Sequence, residues 1–460
     1  MMPAVRAPSH PAAFPLRGLK GLWWEPRQYL PWPPVLEAAG YNFFLLCYTF
    51  CAEASLRWRH PLDRTARDVI AQLAGDCGRR GIVLGLAIHP LIGFHSWTPG
   101  RAAVRFHPTV GADWFHRYWQ ARQAGRVLAP DAPLRYDDAR DLDVLIDKYR
   151  QAYRCGVRAF VLCLDDVDLH ASGLGLADLA EAQCRVVSAL WTRLQAIDRR
   201  VRLLVVPTLY WTGGLRAHPL YTTRLAVGLP PGVDVFWTGE EVRSQAITRA
   251  QAAEANVLYG RQPVLWLNYA SNDSFRFSLQ LPPAPPPAAD LLLAVGGLVV
   301  NPMRQVALSQ LHALVMGEYL RDPPSYTHAG ALKRACVGLL GATDAPLLER
   351  VVSAWSAYPD PRTLGDDLAG ASPEWRSALV ARLAACQAEL DEVLPRLRVH
   401  GLVYAELVAA AARLGLLLSA LRVRDPELDE VDASMARDKL LSRLGEVDDE
   451  IAADARLGLN

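Results

Sequence analysis

The chain has 460 residues, of which 51% are hydrophobic and 21% are charged, and its formal net charge is +1. This length exceeds what one compact core usually organises, so two or three domains are expected in a protein of globular composition. The near-neutral charge excludes a general nucleic-acid binder and a membrane-surface binder.

The cysteines and the apolar runs indicate the compartment. Eight Cys are spread along the chain, and only Cys47 and Cys51 lie close together, with no second pair to complete a zinc site. The first residues lack an apolar stretch long enough for a signal peptide, and no run of about 18 apolar residues predicts a transmembrane helix. We therefore predict a cytosolic protein with reduced thiols, no metal and no cofactor.

From residue 16 onward, short apolar runs alternate with amphipathic, helix-like segments. Continuous apolar strands between such helices indicate a parallel sheet that is covered on both faces. Eight units predict an α/β fold, a (β/α)8 TIM-like barrel, and a doubly wound open sheet is the competing fold. The predicted strands lie in 18–24, 41–49, 82–90, 158–166, 202–210, 233–239, 263–270 and 296–302, and the clearest helices in 64–79, 141–155, 174–197 and 240–254.

The composition changes at both ends of this region. Residues 1–15 are rich in Pro and Ala and are predicted to be disordered, and the proline-rich segment 281–290 is predicted to be a surface loop. We assign 16–325 to a catalytic barrel and 326–460 to a C-terminal α-helical bundle domain with a charged tail. Its strongest predicted helices are 374–398 and 401–421.

Polar residues gather at the carboxyl ends of five predicted strands. Barrel enzymes place their chemistry at this rim. A single polar strand end would be an ordinary loop, but five are harder to explain in that way. The residues are Asp165-Asp166, Tyr210, Trp237-Thr238, Asn268 and Asn301.

The adjacent carboxylates Asp165 and Asp166 are the most informative of these. Two neighbouring carboxylates resist joint ionisation, so the pKa of one is expected to rise. One group can then donate a proton while the other stays charged. By itself, however, an Asp pair is more often a helix N-cap or a salt-bridge partner.

The residues around this pair resemble a known family. GVRAFVLCLDDVDLH (156–170) is similar to the catalytic strand of glycoside hydrolase family 84, which contains O-GlcNAcases and bacterial β-N-acetylglucosaminidases. The resemblance covers about residues 17–320 and implies a barrel followed by a helical domain. It continues in chain order through LRGLKGLWW (16–24), AIHP (87–90), VVPTLYWTGG (205–214), 218–247, PVLWLNYASND (263–273) and 297–320.

The resemblance implies a retaining β-N-acetylhexosaminidase that acts on a terminal β-linked N-acetylglucosamine-type sugar. Asp165 would orient and polarise the 2-acetamido group, and Asp166 would be the general acid and then the general base. The acetamido oxygen attacks the anomeric carbon and forms an oxazoline, so the enzyme supplies no nucleophile.

The resemblance also implies substrate-binding roles. Tyr210 would lie near the acetamido group and the anomeric centre, and Asn268 would hydrogen-bond around the acid and the acetamido group. Asp273 would bind the 4- and 6-hydroxyls with help from Asn301. Gly21 would offer its backbone carbonyl to the 3-hydroxyl. Two further candidates are Thr49, at the position of a family residue that contacts the sugar, and Trp237, which is either a pocket-floor aromatic or a core residue.

The first two strands depart from the family pattern. The family has Tyr-Ala-Pro-Lys-Asp-Asp in the second strand, where the Lys contacts the sugar. Here Thr49 stands at the Lys position, and Phe50 and Cys51 stand at the two Asp positions. Lys20 replaces the Glu of the first strand, and Leu267 replaces the Asp before Asn268. Loss of a charged hydrogen bond costs roughly 1.5–3 kcal/mol, so we expect a less polar and more aromatic pocket wall.

Other functions stay open. An amino-sugar tailoring enzyme acting on a small metabolite would fit the altered second strand, and a non-catalytic sugar- or glycopeptide-binding barrel is a further alternative. His89 lacks the companions of a metal ligand and is interpreted as a pocket-lining or structural residue. The expected partner is an N-acetylhexosamine-containing glycoside or glycopeptide, without nucleic acid or membrane. The helical domain is a candidate docking module or homodimer interface.

Overall fold

The computed structural model describes residues 13–22, 24–91, 131–165, 174–244, 246–268, 270–272, 279–281, 286–356, 358 and 371–422. Most of the predicted disordered segment 1–15 and the charged tail after residue 422 lie outside the described residues.

Eight parallel strands close into a barrel in sequence order, with β8 paired to β1. Seven of the strands lie inside predicted runs, and β1 begins one residue before its predicted run. The barrel prediction is therefore confirmed, and the doubly wound open sheet is wrong. The strands are β1 (Arg17–Lys20), β2 (Phe43–Leu46), β3 (Val83–Ile88), β4 (Ala159–Cys163), β5 (Arg202–Val206), β6 (Val233–Trp237), β7 (Val264–Leu267) and β8 (Gly297–Val300).

Helices surround the barrel and follow it. Within the described ranges they are α1 (Trp32–Ala39), α2 (Arg64–Arg79), α3 (Ala139–Arg154), α4 (Leu176–Ile197), α5 (Thr212–Ala217), α6 (Pro219–Gly228), α7 (Arg249–Tyr259), α8 (Ser309–Arg321), α9 (His328–Trp355), α10 (Pro373–Val393) and α11 (Leu402–Arg422). Gly341 interrupts α9 with a φ of 79°.

Three of the four barrel helices named in advance lie close to their predicted positions, and the fourth does not. The prediction of a helix over 240–254 was wrong at its start, because α7 begins only at Arg249. Thr248 caps that helix: its hydroxyl accepts from the N–H of Gln251, and the Gln251 side chain accepts from the N–H of Thr248. Such a reciprocal box satisfies two otherwise unpaired donors and fixes the first turn. The short helices α1, α5 and α6 were not predicted.

The strands separate two apolar layers. Alternate side chains point into the barrel and out toward the helices. The interior layer includes Phe43, Leu45, Cys47, Val161, Cys163, Leu204, Val206, Phe236, Trp266 and Val299. Gly18 belongs to the same layer, since a Cβ there would lie 2.7 Å from Cγ2 of Val299. The lower barrel is therefore filled by side chains, which leaves the carboxyl-end rim as the place for a site.

The helices after the barrel share a separate core, which confirms the predicted C-terminal helical region. This core also contains residues from the segment between β8 and α8, including Met303 and Leu308. Trp355 donates its indole N–H to the carbonyl of Leu279, 2.9 Å away. The helical region is thus packed against the loops at the barrel rim. Among the described residues, no helix has the length and apolarity needed to cross a membrane.

Candidate active site

Asp165 lies at the carboxyl end of β4. Side chains alternate between the two faces of a strand, and those of Val161 and Cys163 point into the barrel. Asp165 comes two residues after Cys163, so its side chain points into the barrel as well. The residue is 8% exposed. The strand ladder continues one residue beyond β4, where the N–H of Leu164 donates to the carbonyl of Val206 at 2.8 Å. The Asp165 carboxylate therefore extends from a fixed strand end into the barrel mouth.

His89 at the end of β3 contacts this aspartate. It is fully buried, and its Nε2 lies 3.0 Å from the Asp165 carbonyl oxygen and 3.8 Å from its Oδ1. Because a carbonyl only accepts, Nε2 must carry the proton in this hydrogen bond. The ring of Tyr48 meets the imidazole edge-on with centroids 4.9 Å apart. His89 thus lines the site and holds the Asp165 backbone, in agreement with its interpretation as a pocket-lining or structural residue.

A closed set of buried hydrogen bonds supports the same strand end from behind. Thr208 donates its hydroxyl to the carbonyl of Leu164 at 2.7 Å and accepts from Nε2 of Gln183 at 2.6 Å. The Tyr221 hydroxyl donates to Oε1 of Gln183 at 2.7 Å and accepts from the N–H of Thr208 at 3.1 Å. Burial raises the pKa of Tyr221, so its hydroxyl stays protonated as this donor. Sequence reasoning missed this ring, which joins β4, β5, α4 and α6.

The opposite side of the mouth carries a chain of amides on β7 and β8. Asn268 follows β7, and its Oδ1 accepts from the indole N–H of Trp266 at 2.9 Å and from Nδ2 of Asn301 at 2.7 Å. Its own Nδ2 donates to the carbonyl of Val242 at 2.8 Å. Asn301 is 3% exposed, and its N–H extends the strand ladder to the carbonyl of Leu267. Two residues that were predicted separately for the site, Asn268 and Asn301, are therefore in direct contact.

Lys20 ends β1 beside this amide chain. The residue is 4% exposed, and its Nζ lies 4.4 Å from the ring centre of Trp266. Gly18 faces the barrel interior, so Lys20 faces it too. In the sequence Lys20 was noted only as a departure from the family pattern. Its inward position follows from the period-two spacing from Gly18 only once the structure shows that Gly18 faces the barrel interior.

Two aromatic candidates occupy different layers. Tyr210 belongs to the interior cluster and is 7% exposed, and its carbonyl accepts from the N–H of Thr238 at 3.0 Å. Trp237 lies in the outer layer, is fully buried and donates its indole N–H to the Thr212 hydroxyl at 2.9 Å. The structure therefore favours the core interpretation of Trp237 over a pocket-floor role.

The first two strand ends pack closely. The N–H of Gly21 donates to the carbonyl of Leu45 at 3.1 Å, and a Cβ on Gly21 would lie only 2.1 Å from the hydroxyl oxygen of Tyr29. Phe50 stacks edge-on against Tyr29 in the outer core and is fully buried, whereas Thr49 is 1% exposed. The expectation that Phe50 makes the pocket wall more aromatic was therefore wrong, because its ring turns away from the barrel.

Two predicted site residues, Asp166 and Asp273, lie outside the described residues. Within the described ranges, no group of three His, Cys, Asp or Glu side chains is arranged to hold a metal ion. The described part of the site is thus a carboxylate on the β4 side and a lysine–tryptophan–amide group on the β7–β1 side.

Comparisons with known proteins find relatives of part of this chain. Residues 124–352 match the family model for beta-N-acetylglucosaminidase. The Protein O-GlcNAcase of Rattus norvegicus and that of Mus musculus are each 26% identical over 184 residues, which is 38% of this chain and 20% of each relative. The chain therefore aligns with about a fifth of the length of these curated relatives.

A solved structure extends the similarity to nearly the whole chain. A mutant of the Thermobaculum terrenum O-GlcNAc hydrolase superposes with a TM-score of 0.64 at 20% identity, and the match covers 97% of this chain and 94% of that one. At this identity the superposition supports the shared fold, a barrel followed by helices. The family model and the curated relatives therefore support a likeness of this chain to the proteins of glycoside hydrolase family 84.

Proposed function

We propose that the chain is a retaining β-N-acetylhexosaminidase that removes a terminal β-linked N-acetylglucosamine-type sugar from a glycoside or glycopeptide. The observation that carries the proposal is the buried Asp165 carboxylate at the end of β4, fixed at the barrel mouth by neighbouring strands. The match to a beta-N-acetylglucosaminidase family model across this strand supports the same reaction.

In the proposed reaction the substrate supplies its own nucleophile. The acetamido oxygen attacks the anomeric carbon and forms an oxazolinium-like ring, while Asp166 donates a proton to the leaving oxygen. Asp165 accepts the acetamido N–H and stabilises the positive charge that develops on the ring. Water then opens the ring with Asp166 as general base, and the anomeric configuration is retained.

The geometry supports the role of Asp165. A carboxylate that stabilises developing charge is effective only when it is held in place before the reaction, because reorientation would consume the gain. Its backbone carbonyl accepts from His89, and the preceding carbonyl accepts from Thr208. Both contacts lie in buried surroundings, where electrostatic effects are larger than in water.

The test uses 4-nitrophenyl N-acetyl-β-glucosaminide and its galacto analogue with the wild type, Asp165→Asn and Asp166→Ala. Removal of one preorganised electrostatic partner costs about 10²–10³ in kcat, and we expect a loss of that size for Asp165→Asn. Asp147→Asn is the matched control, because that aspartate is on the surface with its side chain 65% exposed. A wild type that neither cleaves these sugars nor binds a thiazoline mimic of the oxazoline would refute the proposal.

The cytosolic location and the homodimer are part of the proposal. All eight cysteines are free thiols, as expected in a reducing compartment. In the helical region Val399 is 80% exposed and Leu402 is 66% exposed, which provides apolar surface for a second copy. Sedimentation velocity of the wild type and of a Val399→Asp/Leu402→Asp variant tests the dimer, which the double substitution should dissociate.

A further inference from the structure

Lys20 has surroundings that are unusual for a buried ammonium group. It is 4% exposed, and among the described residues no carboxylate lies within ion-pair distance of its Nζ. Burial of an unpaired charge is costly, and a lysine normally avoids it by extending to water or by pairing with an acid. The face of Trp266 offsets part of this cost through a cation–π contact. A buried ammonium group at the mouth of the barrel, without a carboxylate partner in the described part of the chain, indicates that Lys20 binds a ligand there.

The neighbouring amides have defined orientations. The indole N–H of Trp266 only donates, so Asn268 must present Oδ1 to it. The carbonyl of Val242 only accepts, so the other end of Asn268 must be Nδ2. Asn301 therefore presents Nδ2 to Asn268, and its own Oδ1 is left as an acceptor. This oxygen is buried and has no hydrogen-bond partner among the described residues.

Strand pairing places the lysine beside this acceptor. Leu19 of β1 is registered with Val300 of β8, so the next pair along the two strands is Lys20 and Asn301. Neighbouring strands are about 4.8 Å apart. Both residues face the interior at the same level of the mouth, so a cationic donor and an amide acceptor lie side by side above Trp266.

We propose that Lys20 is a further sugar-binding residue of this chain, in a subsite at which it donates to one of two neighbouring hydroxyl groups of the substrate sugar, while Oδ1 of Asn301, which the family resemblance already assigns to the sugar hydroxyls, accepts from the other. A hydroxyl can accept from the ammonium, and its neighbour can donate to the amide oxygen. Trp266 lies beneath as an apolar floor. Lys20 is then a positioning and specificity residue for the proposed glycosidase, on which this inference depends.

The fixed acceptor distinguishes a diol from an anion. A carboxylate or a phosphate would pair with Lys20, but its oxygens would face Oδ1 of Asn301, which has no proton to give. A buried polar group that is left without a partner destabilises the complex. The arrangement therefore favours a neutral pair of hydroxyls over a charged substituent.

The experiment measures binding by calorimetry, so that it does not depend on turnover. The ligands are N-acetylglucosamine, its 3-deoxy, 4-deoxy and 6-deoxy analogues, and N-acetylmuramic acid as a carboxylate-bearing sugar. The proteins are the wild type, Lys20→Met, Lys20→Arg and the control Lys333→Met, in which an exposed lysine of α9 is changed. Methionine keeps the length and the apolar stem of the side chain, so the melting temperature of Lys20→Met should be equal to or higher than that of the wild type.

We expect Lys20→Met to bind the parent sugar about tenfold more weakly, which corresponds to the loss of one charge-assisted hydrogen bond. For the wild type, one of the deoxy analogues should bind more weakly than the parent sugar. For Lys20→Met, the same analogue and the parent sugar should bind with equal affinity, because the hydroxyl and the lysine contribute to the same contact. Lys20→Arg should recover part of the affinity, and Lys333→Met should behave as the wild type.

The outcomes separate this inference from the proposed function. Suppose that the wild type cleaves the nitrophenyl sugar while every deoxy analogue loses the same affinity in the wild type and in Lys20→Met. That result leaves the proposed function intact and overturns the subsite. Lys20-dependent preference for N-acetylmuramic acid overturns the diol assignment. If the wild type shows no turnover but still binds the sugar in a way that depends on Lys20, the glycosidase proposal is refuted. The subsite is then supported as part of a sugar-binding barrel.

Discussion

The two sides of the barrel mouth hold their charged groups in different ways. On the β4 side, Asp165 is supported through its backbone by His89 and by the buried ring of Thr208, Gln183 and Tyr221. On the β7–β1 side, the Lys20 ammonium has only the face of Trp266 among the contacts that the structure describes.

This difference indicates that the two sides of the barrel mouth have different functions. A group that must stabilise charge in the transition state benefits from rigid support, since preorganisation is the source of its effect. A group that binds the ground state of a sugar instead needs unused donors and acceptors, which the ligand then satisfies. The β4 side has the first character, and the β7–β1 side, with the unpartnered Oδ1 of Asn301, has the second. Substitutions on the two sides should therefore alter different quantities.

The largest effect is expected where the supported side is disrupted. Gln183→Leu leaves the Thr208 hydroxyl and the Tyr221 hydroxyl without their buried partner, and each such loss costs about 1–3 kcal/mol. We expect the free energy of unfolding to fall by about 2–4 kcal/mol and kcat to fall with little change in KM. Urea denaturation and steady-state kinetics measure the two.

Thr192→Ala is the control for this substitution, because Thr192 lies on the same helix and its hydrogen bond is exposed. It should change the unfolding free energy by less than about 0.5 kcal/mol. An unchanged kcat in a folded Gln183→Leu protein would mean that the ring stabilises the fold without positioning Asp165.

A smaller effect is expected on the other side. Asn301→Leu removes one of the two donors to Oδ1 of Asn268, which keeps the indole N–H of Trp266. Stability should fall by about 1 kcal/mol. Loss of the acceptor at position 301 should raise KM for the nitrophenyl sugar about tenfold, equivalent to ~1.4 kcal/mol, with kcat nearly unchanged. A drop in kcat alone would contradict the division between the two sides.

The smallest effect concerns the helical region behind the β8 side. Glu406 of α11 accepts from the N–H groups of Ala307 and Leu308, in the segment that follows Asn301. Burial raises the pKa of Glu406 to about 7, although backbone hydrogen bonds oppose the shift. Because this pKa lies above its unfolded value of about 4.3, the folded protein binds the extra proton between these pH values. The free energy of unfolding should therefore fall as pH rises through this window.

Glu406→Gln should remove this part of the pH dependence. Urea denaturation between about pH 4.5 and 8 should show a wild-type curve that declines relative to the variant, with the difference levelling off above the folded pKa. Glu374→Gln changes an exposed carboxylate of α10 whose pKa is lowered by hydrogen bonds, and it should not reproduce the decline. Parallel curves for wild type and Glu406→Gln would show that the carboxylate titrates normally.

The sequence alone determined the barrel and the positions of its rim. Eight apolar runs separated by helical segments predict a closed parallel sheet, and each run overlaps one observed strand. The polar residues that end these runs were also identifiable, and the structure brings two of them, Asn268 and Asn301, into contact. Both features depend on local patterns, so chain order was sufficient to recognise them.

Only the tertiary structure decided which face each side chain uses and what supports it. Strands buried on both faces have no polar alternation, so their sequences do not show which residues point inward. Closure and register fixed that choice: Trp266 and Lys20 face the mouth, whereas Trp237 and Phe50 pack outward. The support of Asp165 by Gln183 joins residues that are distant in sequence, and such contacts form only when the barrel closes.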